Sequence, residues 1–178
     1  LEPAGHSVGP SLEAIDVLKV LEQKPDRPRV LEAKALRLTG KLLDLCLADT
    51  KNSEKISGED LARQILKSGQ ALKKMREIIK YQGGDPDISI ADIEIGKFKY
   101  EYKSHKKGSI TSFNNKDLTI IAKILGCPGD KKAGIYLERR LDEHIDKNDI
   151  LCILYSSNKW HLEEAKETLK NVPIFSIE

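Results

Sequence analysis

The run Gln82-Gly-Gly-Asp-Pro86 divides this chain into two kinds of sequence. Its two glycines release the backbone, and Pro86 disfavours helix at the residue before it, so no regular element is expected to cross. On the N-terminal side apolar residues recur at helical spacing, and on the C-terminal side they alternate. Any fold must therefore join a helical half to a half that contains strands.

In the helical half, Ser11 is a candidate N-cap, followed by Leu12, Ile15, Leu18 and Leu21 at helical spacing. Pro25 and Pro28 break that helix. A second helix is expected from Arg29 to Ala48, with Leu31, Ala35, Leu38, Leu42 and Leu45 along one stripe, and a polar loop from Asp49 to Lys55. Ser57-Gly-Glu-Asp60 has the form of a capping box and opens a third helix carrying Leu61, Ile65 and Leu66. After Ser68-Gly69, the residues Ala71, Leu72, Met75, Ile78 and Ile79 make a fourth apolar face. Helices with faces this broad commonly cover a sheet, and residues 11–82 supply none, so the sheet is expected upstream.

Beyond Pro86, Phe98, Tyr100 and Tyr102 alternate with Lys97, Lys99 and Lys103, which is strand periodicity. Gly108 marks a turn and Ser109–Phe113 the returning strand. Asp117 is read as the cap of a short helix with Leu118, Ile121, Ile124 and Leu125, stopped at Gly126. Strands are expected at Gly134–Leu141 and Ile150–Tyr155, a helix over about Leu162–Lys170, and a last strand at Ile174–Ile177. Residues 87–178 thus read as an α+β domain.

Charge narrows the partners. Thirty basic and 28 acidic residues leave a net charge of +2, a small surplus for a nucleic-acid binder. The one basic cluster, Lys97, Lys99, Lys103, Lys106 and Lys107, reads as a solvated strand face. Apolar runs such as Ile150–Tyr155 fall far short of the ~20 residues of a membrane span. Neither nucleic acid nor a membrane is expected as a partner. Cys46, Cys127 and Cys152 are far apart and without CxxC spacing, which suits reduced thiols in the cytoplasm. The trio His144, Cys152 and His161 matches no zinc spacing.

Few segments carry chemistry by themselves. Gly5-His-Ser-Val-Gly9-Pro10 opens a helix, so it offers backbone N–H groups to an anion or makes a tight strand-to-helix turn. Gly126-Cys-Pro-Gly129-Asp-Lys-Lys-Ala-Gly134 lacks the spacing of a P-loop and reads as a connection. Glu13 and Asp16 are three apart on one helical face, a spacing usually found solvated. His6, His105, His144 and His161 have no triad-like partner. Lys106 and Lys107 before Gly108 are where a carrier domain would hold a modified lysine, a non-catalytic alternative.

Three segments together resemble the thymidine phosphorylase family. Pro3-Ala-Gly-His-Ser-Val-Gly-Pro-Ser-Leu-Glu-Ala14 is similar to its Pro-Leu-Gly…Gly-Asn-Ala-Leu-Glu-Val stretch. Ser68-Gly-Gln-Ala71…Met75…Gln82-Gly-Gly-Asp-Pro86 is similar to its Ser-Gly-x-Ala…Gln-Gly-Gly-Asp element. Gly126-Cys-Pro…Asp130-Lys-Lys-Ala-Gly-Ile-Tyr-Leu137, followed by Lys147-Asn-Asp149 and Ile153-Leu-Tyr155, resembles the archaeal branch, whose members include AMP phosphorylases. Departures are Ala4 for Leu, Pro10 for Asn and Asn148 for Gly; they favour that branch.

The resemblance implies that residues 1–85 are helices of a larger α/β lobe and 87–178 a C-terminal hammerhead-like domain. Leu1 to Pro10, with no initiating Met, would then lie inside a longer protein. It implies a pentosyl-transferring phosphorylase, a glycosyltransferase of the cytoplasm that forms a homo-oligomer. Inorganic phosphate would be its co-substrate, with no other cofactor required and a nucleotide (AMP favoured) or a thymidine or pyrimidine nucleoside as substrate. The family's phosphate- and base-binding residues belong to upstream segments, so no catalytic residue is expected here. Some members bind a monovalent cation, and by the same resemblance its ligands would be the carbonyls of Ala4 and Ser7 and the carboxylate of Asp16.

Overall fold

The computed structural model describes residues 2–48 and 56–178; the polar loop expected at 49–55 lies outside them. The helical half contains α1 (Pro10–Leu21), α2 (Arg29–Leu47), α3 (Gly58–Lys67) and α4 (Gln70–Tyr81). Local chemistry sets their ends. Ser57 Oγ accepts the Asp60 N–H at 3.1 Å, the N-cap half of the box expected at α3, and donates to the Asp60 carboxylate at 2.7 Å. Helix α1 begins at Pro10, one residue before the expected cap Ser11, because proline suits the first helical position. Gly83 ends α4 at φ +79°, and the N–H groups of Gly83 and Gly84 return to the carbonyls of Lys80 and Ile79 at 3.0 and 2.9 Å.

The chain divides into two units: Asp16–Asp92, and the residues up to Ile15 together with Ile93–Glu178. The division departs from the expected boundary at 85–87, because the first residues pair with a distant strand. In the unit Asp16–Asp92, Val20, Leu36, Ala62 and Leu66 form a small core with Leu21, Leu31, Leu43 and Ala71 around it. Helices α2 and α3 meet through glycine: a Cβ on Gly40 would lie 2.6 Å from the Glu59 backbone. Asp44 Oδ1 accepts the Gly58 N–H at 2.7 Å and so holds the start of α3. Of the expected stripe of α2, Leu31 packs on this core and the rest is turned outward. Leu38, Leu42 and Leu45 are 58%, 60% and 76% exposed, while Leu36 and Gly40 are buried. Helix α2 is apolar on both sides, and the side that accepts α3 through Gly40 is the covered one.

The other unit carries β1 (Ser7–Val8), β2 (Phe98–Lys103), β3 (Gly108–Phe113), α5 (Asn115–Leu125), β4 (Gly134–Leu137), β5 (His144–Ile145), β6 (Ile150–Ser156), α6 (Lys159–Leu169) and β7 (Phe175–Ile177). The strands form two antiparallel sheets, ordered β1-β4-β6-β2 and β5-β3-β7. This is an α+β fold, as expected. The expected hairpin of β2 and β3 does not form, since β2 pairs with β6 while β3 pairs with β5 and β7. Buried Ser104 explains the separation: its N–H donates to Asp149 O at 2.8 Å and its carbonyl accepts from Asn148 at 2.9 Å. The chain leaves β2 still bound to that neighbourhood, and Gly108 then starts a strand elsewhere.

Eighteen buried residues, most of them from α5, α6 and both sheets, make the core, among them Ile121, Leu125, Ile135, Leu154 and Ile174 at 0% exposure. At roughly 2 kcal/mol per buried large aliphatic, this core supports a unit by itself far better than the four buried residues of Asp16–Asp92. Two of the boundaries that differ from expectation have a local cause. Helix α5 is capped by Asn114, whose side chain accepts the Asp117 N–H at 3.2 Å. Strand β4 stops at Leu137, short of 141, because the N–H groups of Glu138 and Arg139 both turn to Leu151 O, at 3.0 and 3.3 Å.

Candidate functional site

The glycine-rich segment at the start of the chain lies against residues 126–141. Strand β1 pairs antiparallel with β4, Ser7 opposite Tyr136 and Val8 opposite Ile135. His6 O accepts from Leu137 N at 2.6 Å, and Lys131 O accepts from Ser11 N at 3.0 Å. Arg140 extends the lock: its guanidinium donates to the carbonyls of Gly5 and Pro3 at 2.7 and 2.6 Å and pairs with the Glu2 carboxylate at 3.2 Å. Glu2 accepts in turn from Leu141 N at 3.0 Å. The side chain of Arg140 is only 14% exposed, so these charge-assisted bonds act with limited competition from water.

Two glycines permit the close approach. Gly9 has φ +123°, and a Cβ there would lie 2.8 Å from Gly134 Cα and 3.2 Å from Cys127 Sγ. A Cβ on Gly134 would meet Leu12 Cδ1 at 2.7 Å. The Gly9 N–H is taken by Glu13 Oε1 at 2.9 Å. The two readings of Gly5–Gly9 thus resolve toward the strand-to-helix turn, because Gly9 and Ser11 spend their N–H groups within the fold.

Residues 126–134 form the other wall. Cys127 Sγ donates to Ala133 O at 3.1 Å, and burial, with the charges of Asp130 and Glu13, pushes its thiol up to about 11. Asp130 accepts from Lys132 N at 3.0 Å and from both the backbone N–H and the hydroxyl of Ser157 at 3.2 Å. Burial pushes its carboxyl up, but these donors outweigh it and hold it below the usual carboxylate range. The segment is a connection, built to hold position.

Of the expected cation ligands, Ser7 lies in β1 and is 7% exposed, Ala4 precedes it, and Asp16 lies in α1 at 3% exposure. Asp16 is therefore not the solvated carboxylate its spacing from Glu13 suggests; it takes part in a polar interaction within the protein. Among the described residues no group of three or more His, Cys, Asp or Glu side chains is placed to hold a metal ion. Cys152 is fully buried in β6, and His144 lies exposed on β5 in the other sheet, its Nδ1 3.3 Å from Ser109 Oγ. His161 sits in α6 with Nδ1 buried and without a hydrogen-bond partner.

The basic cluster is interleaved with acids. Lys99 and Lys103 flank Glu101 at 3.8 and 3.6 Å, and Lys107 pairs with Asp146 at 3.2 Å. Lys106 and Lys107 lie between strands of different sheets, so they do not mark the hairpin tip that a carrier lysine would need. No helix among the described residues is long and apolar enough to cross a membrane.

Residues 109–175 match the pyrimidine nucleoside phosphorylase C-terminal domain. Across 176 residues, 99% of this chain, it is 40% identical to the AMP phosphorylase of Methanococcoides burtonii, covering 34% of that protein. The chain is similar to archaeal AMP phosphorylases along nearly its whole length. AMP phosphorylase of Pyrococcus furiosus is 39% identical over 92% of the chain, and AMP phosphorylase 1 of Archaeoglobus fulgidus 35% over 93%; each is covered over 32% of its own length. The chain spans about a third of the length of the AMP phosphorylases it matches and corresponds to a C-terminal portion of them. The matched domain begins within β3, so β1 and β2 belong to the folded unit yet lie outside the domain match. Sequence reasoning missed Arg140 and Glu2, since no periodicity links residues 138 apart; the glycines at 9 and 134 were the visible trace of that contact.

Proposed function

We propose that this chain is the C-terminal part of a phosphorylase that cleaves the N-glycosidic bond of a nucleotide with inorganic phosphate. AMP is the favoured substrate, giving adenine and ribose 1,5-bisphosphate. The observation that carries the reading is the match to AMP phosphorylases along nearly the whole chain. In that reaction a phosphate oxygen attacks C1′ as the base departs, which requires a positive, donor-rich cradle and a donor to the base within a closed cleft. The locked segments here supply neither. The N–H groups of Gly9 and Ser11 are spent on Glu13 Oε1 and Lys131 O.

The role of this chain is then scaffolding, with phosphate- and base-binding groups contributed by the other two thirds of a protein of the relatives' length. The carbonyls of Ala4 and Ser7 and the Asp16 carboxylate would hold a monovalent cation. An all-oxygen donor set suits such an ion. The protein acts in the cytoplasm as a homo-oligomer, with nucleotide and phosphate as its partners.

The test is a substrate panel. The polypeptide encoded by the natural gene, incubated with phosphate and AMP, CMP, UMP, adenosine, cytidine, uridine or thymidine, should release base fastest from AMP, with ribose 1,5-bisphosphate as co-product by mass spectrometry. Faster release from thymidine or uridine would transfer the reading to a pyrimidine nucleoside. No release from any of them would end it.

A further inference from the structure

Arg29, Val30, Ala33, Lys34 and Arg37 of α2 line an open groove of about 520 Å³ with Glu59 of α3. Its cations are uncommitted. Among the described residues, no hydrogen bond or ion pair engages the side chains of Lys34 and Arg37. Arg29 reaches only Glu32, at 3.8 Å, a carboxylate already held by Arg27. The one acid in the lining, Glu59, is met by Arg63 at 3.1 Å. The groove differs in this from the strand β2, where Glu101 sits between Lys99 and Lys103. Three cations around one concavity repel one another, and a bound anion relieves that repulsion.

Size and spacing choose the anion. The volume lies in the range of small-molecule sites. A nucleic acid would need a longer cationic run. Here only Lys41 continues the column, and the next position, Asp44, is an acid that accepts the Gly58 N–H at 2.7 Å. Arg29 and Arg37 stand about 12 Å apart along the helix axis, which suits two phosphate groups better than one. Guanidinium forks match phosphate oxygens in pairs, and an ammonium such as Lys34 adds a point charge. Glu59 has Oε1 on Arg63 and keeps Oε2 to accept from a hydroxyl.

We infer that this groove binds a small molecule bearing two phosphate groups and free hydroxyls, a sugar bisphosphate by class. The proposed reaction releases such a molecule, and only the choice of ligand rests on that reading. The test is calorimetric titration of ribose 1,5-bisphosphate into the 178-residue chain. Binding should be one-to-one, with inorganic phosphate at least about tenfold weaker, the order of one charged contact. R37A should weaken bisphosphate binding about tenfold, and K34A/R37A further, with the melting temperature unchanged. K73A/K80A, which removes exposed lysines of α4, should leave the binding as it was. If R37A fails to fold, R37K takes its place, since it keeps the charge and loses the fork. No binding would overturn the inference, as would binding that K34A and R37K leave intact or that K73A/K80A weakens equally. Bisphosphate binding in a protein that releases no base from AMP would refute the proposed function and leave the groove standing. Base release without this binding would do the reverse.

Discussion

The guanidinium of Arg140 donates to the main-chain carbonyl of Gly5 at 2.7 Å, across 135 residues of sequence. With the second bond to Pro3 O at 2.6 Å, one side chain fixes a segment that no turn chemistry of its own would hold. Arg140→Ala should therefore cost about 2 kcal/mol, the order expected for charged hydrogen bonds. Urea titration would show a lower midpoint, and amide exchange would quicken at Leu137 and Leu141, whose partners are His6 and Glu2. Arg140→Lys should recover only part of the loss, since an ammonium cannot present the planar fork. An unchanged midpoint in Arg140→Ala would mean that the pairing of β1 with β4 suffices.

Acid should weaken the Asp130 contacts. The donors around this carboxylate outweigh burial and hold it below the ordinary range, so its folded value lies below its unfolded one. Its contribution is complete above the unfolded value of about 4 and is lost as pH falls through the folded value. Between about pH 4 and pH 2, Asp130→Asn should lose stability less steeply than the wild type. Parallel curves would show that Asp130 does not contribute to acid unfolding.

The cation proposal predicts a difference between salts of equal ionic strength. Melting in potassium chloride should exceed melting in tetramethylammonium chloride, by about 1.4 kcal/mol at tenfold saturation. Asp16→Asn should remove the difference. Identical wild-type melting in both salts would remove the ion from the account.

Thiol titration should find all three cysteines after unfolding without reductant, because none forms a disulfide. In the folded chain Cys46 should react first. Cys127 should lag, its thiol pushed up to about 11, and Cys152, fully buried with its thiol pushed far up, should wait for unfolding. Two missing thiols in the unfolded sample would contradict this order.

Local patterns were sufficient for the helices and for most strands of the α+β unit, because Phe98, Tyr100 and Tyr102 or the apolar run Ile150–Tyr155 show their burial in their spacing. They were insufficient wherever a distant partner decides. Ser7–Val8 is a strand only because Tyr136 and Ile135 lie beside it, and two residues show no periodicity. Alternation in β2 and β3 gave two strands but not their sheets, which depend on β6, β5 and β7. In α2 the spacing showed a leucine stripe, and it was Gly40, small enough to admit α3, that determined which side is covered. At the candidate site, the glycines and Asp16 were legible as residues, while the buried state of Asp16 and the lock made by Arg140 were not.

The central claim is that this chain supplies scaffold and no catalytic group. Purified chain is mixed with phosphate and AMP, and adenine is followed by chromatography, alone and then within the polypeptide encoded by the natural gene. The account predicts no adenine above the protein-free control from the chain alone, since removal of the binding constellation leaves essentially the uncatalysed reaction. It predicts phosphate-dependent release from the longer protein. Adenine release by the chain alone, abolished by a substitution within it, would contradict the claim.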